Sequence, residues 1–223
     1  MPAITIPARQ RRQIASLAAN VLIVAMEIAG LILSIRNHGI ALFQFYTEDS
    51  NLLAMAACAL CAGYTVRNLR HGAAALPRWV KILKFMAVCC LAVTFVVVLV
   101  ILAPTAGRGG FRMMFLYSSM LYHHLLCPVL ALVSFILWET DPPLTRRHIR
   151  YALIPTLLYA AAALTLNILR LMDGPYPFLH VYEQPVYMSV VWCLLILGGA
   201  YLLAWLIQLA NTACFNRLQR KAA

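Results

Sequence analysis

The sequence predicts an all-α integral membrane bundle of six transmembrane helices, and three observations carry that reading. Hydrophobic residues make up 63% of the 223-residue chain and charged residues only 11%. The mean hydropathy is +0.82, more apolar character than a soluble domain of this size can hide from water. Six long apolar runs each approach the roughly 20 residues that a helix rising 1.5 Å per residue needs to cross a hydrocarbon core about 30 Å thick. With no water at that depth to satisfy backbone N–H and C=O groups, these runs are expected as helices and not strands.

The expected spans lie near 13–35, 46–66, 80–103, 113–138, 149–171 and 186–210. Their connections are short, so residues 1–223 read as one domain with no soluble module, low-complexity segment or repeat. The first run follows Arg9, Arg11 and Arg12, as a signal peptide's apolar stretch would, but it is too long for one and is expected to be a retained first helix.

Eighteen Lys and Arg against seven Asp and Glu give a net charge of +11, a balance that in a soluble protein would point to nucleic acid. Here the charge sorts by side. Arg9, Arg11, Arg12, Arg67, Arg70, Arg78, Lys81, Arg146, Arg147, Arg150, Arg217, Arg220 and Lys221 flank one face of the expected bundle. Arg36, Arg108, Arg112 and Arg170, with Glu48, Asp49, Asp173 and Glu183, flank the other. Basic loops mark the cytoplasmic side, so both termini are expected there. Anionic lipid headgroups account for the basic excess, and no nucleic-acid partner is implied. Trp79 and Trp138 fall at the inner boundary, and Tyr46, Tyr176, Tyr182 and Tyr187 at the outer one, where amphipathic rings belong.

Of the seven cysteines, none lies in an outer loop, so no disulfide framework is implied. Cys58 and Cys61 have redox spacing but sit in an apolar helix without a βαβ pattern, where small buried thiols pack like Ala or Val.

The informative polar groups rank by depth. Glu27 is 14 residues into the first span, and His124 is 14 residues from the inner end of the fourth, which sets both about 21 Å from the inner surface. Thr47 and Asn167 are 19 and 18 residues from the inner ends of their spans, about 27 to 28 Å deep by the same rise. Ionisable groups buried at such depth are costly unless they face inward and find partners, which makes them candidates for function. The plainer reading is a Glu27 to His124 hydrogen bond that fixes helix register. His123 faces about 100° away from His124 on an α-helix, so only one of the two can meet a given partner. Tyr46-Thr47-Glu48-Asp49-Ser50-Asn51 is the densest polar cluster. Asp49 or Ser50 is expected to cap the second helix, leaving Thr47 and Glu48 free.

The segments Phe45-Tyr46-Thr47-x-x-Ser50-Asn51-Leu52-Leu53, His124-x-x-x-Pro128, and Arg170 with Gly174-Pro175-Tyr176-Pro177-Phe178 occur in that order. In this the chain resembles a six-span membrane family that includes bacterial members and the animal androgen-induced and androgen-dependent membrane proteins. The resemblance implies a threonine-dependent hydrolase of fatty acid esters of hydroxy fatty acids, with Thr47 as the matching threonine and His124, or His123 one residue away, as the matching histidine. The chain departs from the family by carrying Glu48-Asp49 directly after the threonine, two carboxylates that would repel a fatty acid headgroup.

Chemically, a Thr hydroxyl needs a base to take its proton, which histidine supplies near neutral pH, and a third group must orient the imidazole. Glu27 has the depth for that third role. Asn167, Ser50 or Asn51 could donate to an oxyanion, and Arg170 could hold a substrate carboxylate or instead snorkel and pair with Asp173. Glu48, Asp49 and Tyr176 complete the expected substrate-binding set. Asp173-Gly174-Pro175-Tyr176-Pro177 reads as a stiff turn that covers the outer mouth or simply joins two helices.

The expected partners are membrane lipids and a lipid-like substrate, with no cofactor and no metal. A small-solute or ion carrier using Glu27, His124 and Asn167 is the first alternative, although carriers usually show broken helices or repeats, and no such Gly/Pro interruption is evident. A haem bundle is disfavoured because the deep histidines are neighbours on one helix. A zinc protease motif is missing. A non-catalytic membrane scaffold is the remaining class.

Overall fold

The computed structural model describes residues 7–72 and 75–222, and among these it is an all-α membrane bundle without strands. The helices are α1 (Ala8–His38), α2 (Tyr46–His71), α3 (Arg78–Thr105), α4 (Gly110–Leu116), α5 (Leu121–Leu137), α6 (Arg146–Ile168) and α7 (Val186–Ala222). Five of these are long and apolar enough to cross a membrane, and α4 with α5 makes a sixth span if the bent pair counts as one. Large apolar side chains such as Val21, Leu22, Ile32, Val100, Leu158, Leu194 and Leu195 point outward, which is what a lipid-facing belt requires.

Lipid tails are as apolar as leucine, so helices in a bilayer associate through close packing and polar contacts. The interior is accordingly built from small residues. Ala19, Ala54, Ala57, Cys58, Cys61, Ala87, Cys127, Ala131 and Ala204 are all buried, with a few large fillers among them, including Phe85 stacked on Phe135 at 5.6 Å. All seven cysteines are free. Trp79, Tyr182 and Tyr187 are exposed, as interfacial rings should be, but Tyr46 and Tyr176 are buried inside the bundle.

The fourth span departs from expectation. Residues 113–138 do not form one helix: α4 and α5 meet at 87°, and the break carries no Gly or Pro. It is held by tertiary bonds to α1, with Ser34 Oγ 3.1 Å from Ser119 Oγ and Asn37 Nδ2 donating to Ser118 Oγ at 3.0 Å. Small hydroxyl residues accept such alternatives to helical bonding readily.

Two further irregularities share a cause. Val98–Leu102 and Leu121–Leu126 are π-helical turns, closed by Ala103 N–H to the Val98 carbonyl and Cys127 N–H to the Tyr122 carbonyl. Each ends two residues before a proline, Pro104 or Pro128. Proline lacks an N–H and its ring crowds the carbonyl four residues back, so the helix widens by one residue to relieve both.

The α2 start also differs. The helix begins at Tyr46 behind Phe45, with no side-chain cap. Asp49 and Ser50 therefore do not cap it, and Glu48 and Asp49 instead lie in the first turn, where the helix dipole favours negative charge.

Candidate functional site

Thr47 lies in the first turn of α2, and its Oγ1 is 3.3 Å from His124 Nε2. On the other side of the ring, His124 Nδ1 is 2.7 Å from the Met114 carbonyl oxygen. A carbonyl only accepts, so Nδ1 carries the proton in the neutral ring, and the bare Nε2 faces the Thr47 hydroxyl. That is the tautomer a general base requires. The break between α4 and α5 makes this possible, because it turns a free carbonyl at the end of α4 back onto α5.

Glu27 is not the group that orients His124. It lies against His123, with Oε2 3.5 Å from Nε2, while His123 Nδ1 is 3.4 Å from Glu48 Oε1. The π-helical turn explains the exchange: its extra residue lets both neighbouring histidines point inward, each to different partners. Gly30 provides the space for His123, since a Cβ there would overlap the imidazole. Gly30→Ala is expected to cost about 1–3 kcal/mol as overpacking, read as a lowered unfolding temperature in detergent.

Glu48 is buried, and its carboxylate accepts from Ser34 Oγ at 2.5 Å, away from Thr47's hydroxyl. Asp49 is exposed and faces out of the bundle. Asp49 is thus turned away from Thr47, whereas Glu48 shares a cavity wall with it. Ser50 Oγ and Asn51 Nδ2 both donate to the Thr47 carbonyl, at 2.9 and 2.7 Å. They hold the Thr47 backbone and are not aimed as oxyanion donors.

Asn167 also serves elsewhere. Its Nδ2 donates to the Met172 carbonyl at 3.1 Å and its Oδ1 accepts from Val181 N–H at 3.2 Å, so it braces the segment between α6 and α7. Arg170 is exposed and lies over the Tyr182 ring at 4.6 Å. It neither reaches Thr47 nor, among the described residues, pairs with Asp173. The physical reason is the same for both: the α6–α7 connection folds back over the bundle and engages these side chains locally.

That connection covers the site. Gly174 passes so close to Leu179 that a Cβ would collide with its backbone, and the close approach lets Tyr176 descend to α2. Its hydroxyl accepts from Thr47 N–H at 3.4 Å. Burial pushes the Tyr176 phenol up to about 12, so it stays protonated and its own O–H remains to donate.

Thr47 stands in the wall between two cavities, with Tyr176 common to both. One is almost wholly apolar and includes Val93, Val97, Phe178, Trp192 and Ile196. The other, the larger of the two, includes His38, Glu48, Met114 and His124. The contributions of Met114 and Ser34 to this region were invisible in the sequence, because one acts through a backbone carbonyl and the other sits on an unremarkable helical face.

Sequence reasoning also missed a second polar centre near the basic ends of the helices. Lys84, fully buried, donates to Asn20 Oδ1 at 2.7 Å and Cys58 Sγ at 2.9 Å, and lies 4.0 Å from Glu139. Glu139 Oε1 accepts from Asn20 Nδ2 and Ser134 Oγ, both at 2.7 Å. Lys81, expected at the surface, is buried and donates to the Thr140 carbonyl at 2.6 Å. Cys58 is therefore an acceptor for an ammonium group as well as packing material. A lysine between apolar neighbours, with Asn20 at similar depth, was the available signal.

Fold and site together define a polytopic α-helical membrane protein with a buried Thr/His pair beside an apolar cavity. The chain matches no protein-family model, and no curated protein or solved structure matches it significantly.

Proposed function

We propose that the chain is an intramembrane Thr/His hydrolase of lipid esters, with fatty acid esters as the substrate class. The observation that carries this reading is Thr47 Oγ1 at 3.3 Å from His124 Nε2, with the ring held by the Met114 carbonyl. The acyl chain would lie in the apolar cavity and the alcohol portion in the second one, with the ester carbonyl at Thr47 between them.

The chemistry then runs as acyl transfer. Thr47 Oγ1 attacks the carbonyl carbon as its proton passes to His124 Nε2, and the Tyr176 O–H donates to the oxyanion. Collapse breaks the ester C–O bond, the leaving alcohol takes the proton from His124, and the acyl group remains on Thr47. Water, deprotonated by His124, releases the fatty acid and restores the threonine. The test is hydrolysis of a panel of long-chain esters by purified protein, with mass spectrometry for an acyl group on Thr47. A chain that hydrolyses none of the panel and carries no adduct would refute it.

A carrier is the second reading, favoured by the interrupted fourth span, since carriers commonly build their sites on broken helices. Flux of an ester or its products into liposomes without hydrolysis would support it instead.

The orientation we infer has both termini in the cytoplasm, supported by the basic residues gathered at that end. Arg146→Cys is expected to label from the cytoplasm, and Arg108→Cys and Glu183→Cys from outside, with impermeant maleimide on cells. Labelling of Arg108→Cys from the cytoplasmic side alone would reverse the assignment.

A further inference from the structure

Five buried side-chain atoms among the described residues have no hydrogen-bond partner: Glu27 Oε1, Glu48 Oε2, Asn51 Oδ1, His123 Nε2 and Glu139 Oε2. Such atoms are costly to leave unpaired and call for an explanation. Their positions follow one line through the bundle. At one end, Glu48 borders the larger cavity beside Thr47 and also a small void it shares with Glu27, Asn51 and His123. At the other, Glu139 borders a polar cleft that it shares with Arg9, Arg12, Ser16 and Asp141.

The links at both ends of this line are short, and its centre, between Lys84 and Glu27, is wider than an ion pair. Glu48 to His123 is 3.4 Å and His123 to Glu27 is 3.5 Å. Glu27 has the Cys127 thiol beside it and lies within electrostatic reach of Lys84. Lys84 touches Cys58 at 2.9 Å and faces Glu139 at 4.0 Å. The groups facing this line come from every packed element: Glu27 from α1, Glu48, Cys58 and Cys61 from α2, Lys81 and Lys84 from α3, His123, His124 and Cys127 from α5, and Glu139 and Asp141 from the connection after it. Structural ion pairs alone would not leave acceptor atoms open along the whole series, and buried ionisable series in membrane bundles characteristically carry protons.

We propose that Glu139, Lys84, Glu27, His123 and Glu48 form a proton path connecting the two faces of the membrane. One proton moves at each step. Lys84 gives a proton to an intervening water that passes one on to Glu27, breaking N–H at the lysine and forming O–H at the carboxylate, and Lys84 is reprotonated from Glu139, which takes its proton from the polar cleft. Glu27 protonates His123 at Nε2, the ring releases the Nδ1 proton to Glu48, and Glu48 releases it to the cavity. The imidazole thus relays the proton across its own width, with the reverse sequence for flow in the other direction. Transfer by such hops gives a relay of carrier-like rate. It does not depend on the hydrolase reading, because Thr47 is outside the series.

The experiment uses the full chain in liposomes containing a trapped pH-sensitive dye, with a potassium diffusion potential imposed by valinomycin. Wild-type vesicles are expected to change internal pH several-fold faster than protein-free ones. Glu27→Gln should fall to the protein-free rate, and Glu27→Asp should recover part of the flux. If Glu27→Gln does not fold, dicyclohexylcarbodiimide on the wild type replaces it, since this reagent adds to protonated carboxyls in apolar surroundings. Block of flux together with a mass adduct on Glu27 is then the supporting result. Wild-type flux at the protein-free rate, or full flux in folded Glu27→Gln or after complete modification of Glu27, overturns the path.

Discussion

Thr47→Ala is expected to abolish hydrolysis of long-chain esters, a loss of at least about 10³-fold, because the nucleophile and the proton it gives up disappear together. His124→Gln should lose about 10²- to 10⁴-fold. Its amide can still donate to the Met114 carbonyl, so the fold is retained, but it cannot accept the threonine proton. The contrast with Glu27 is diagnostic. Because Glu27 meets His123 and not His124, Glu27→Gln should cost hydrolysis far less than either change. Purified variants with wild-type elution profiles, assayed on one ester, check all three. Equal losses for Glu27→Gln and His124→Gln would mean that the Met114 carbonyl is not what orients the ring.

The second large effect concerns stability. Lys84 and Glu139 are each about 1% exposed at the side chain and lie 4.0 Å apart. Removing one member of a buried ion pair strands the other, at a cost of about 3–5 kcal/mol. Lys84→Met should therefore lower the unfolding temperature in detergent markedly. Lys84→Met combined with Glu139→Gln should recover much of the loss, since the amide keeps acceptor capacity for Asn20 and Ser134 without an unpaired charge. A double variant no more stable than the single one would show that the network's hydrogen bonds, and not its charges, hold the helices together.

The membrane bundle was legible in the sequence because the length of an apolar run is a direct physical demand of the bilayer. The pairing of Thr47 with His124 came from the resemblance of their flanking segments, because the fixed rise per residue placed the two at depths of about 27 to 28 Å and about 21 Å. What the sequence concealed depends on contacts between helices. The break at 117–120 has no local breaker and arises from Ser34 and Asn37 bonding across to it. The partner of Glu27 depended on a π-helical turn that shifts facing by a full residue, for which Pro128 was the visible but unread signal. Asn167 and Arg170 were misassigned because their depth was right while the connection beyond them folds back to occupy them. Lys84 was overlooked because a lone lysine near a span's end usually snorkels, and only three-dimensional packing shows that this one cannot.

The widened turn at Leu121–Leu126 can also be described as a count of residues: α5 is a regular helix carrying one surplus residue in its first turns. The surplus sits between the two histidines' partners on one side and the Cys127–Leu137 packing face on the other. Deleting Leu125 would let an ordinary helix close, and the residues after it would keep their contacts only if those before it rotated by about 100°. His123 and His124 could not then both stay inside. One inserted codon is, in this sense, what allows adjacent positions in the chain to serve two separate chemical neighbourhoods.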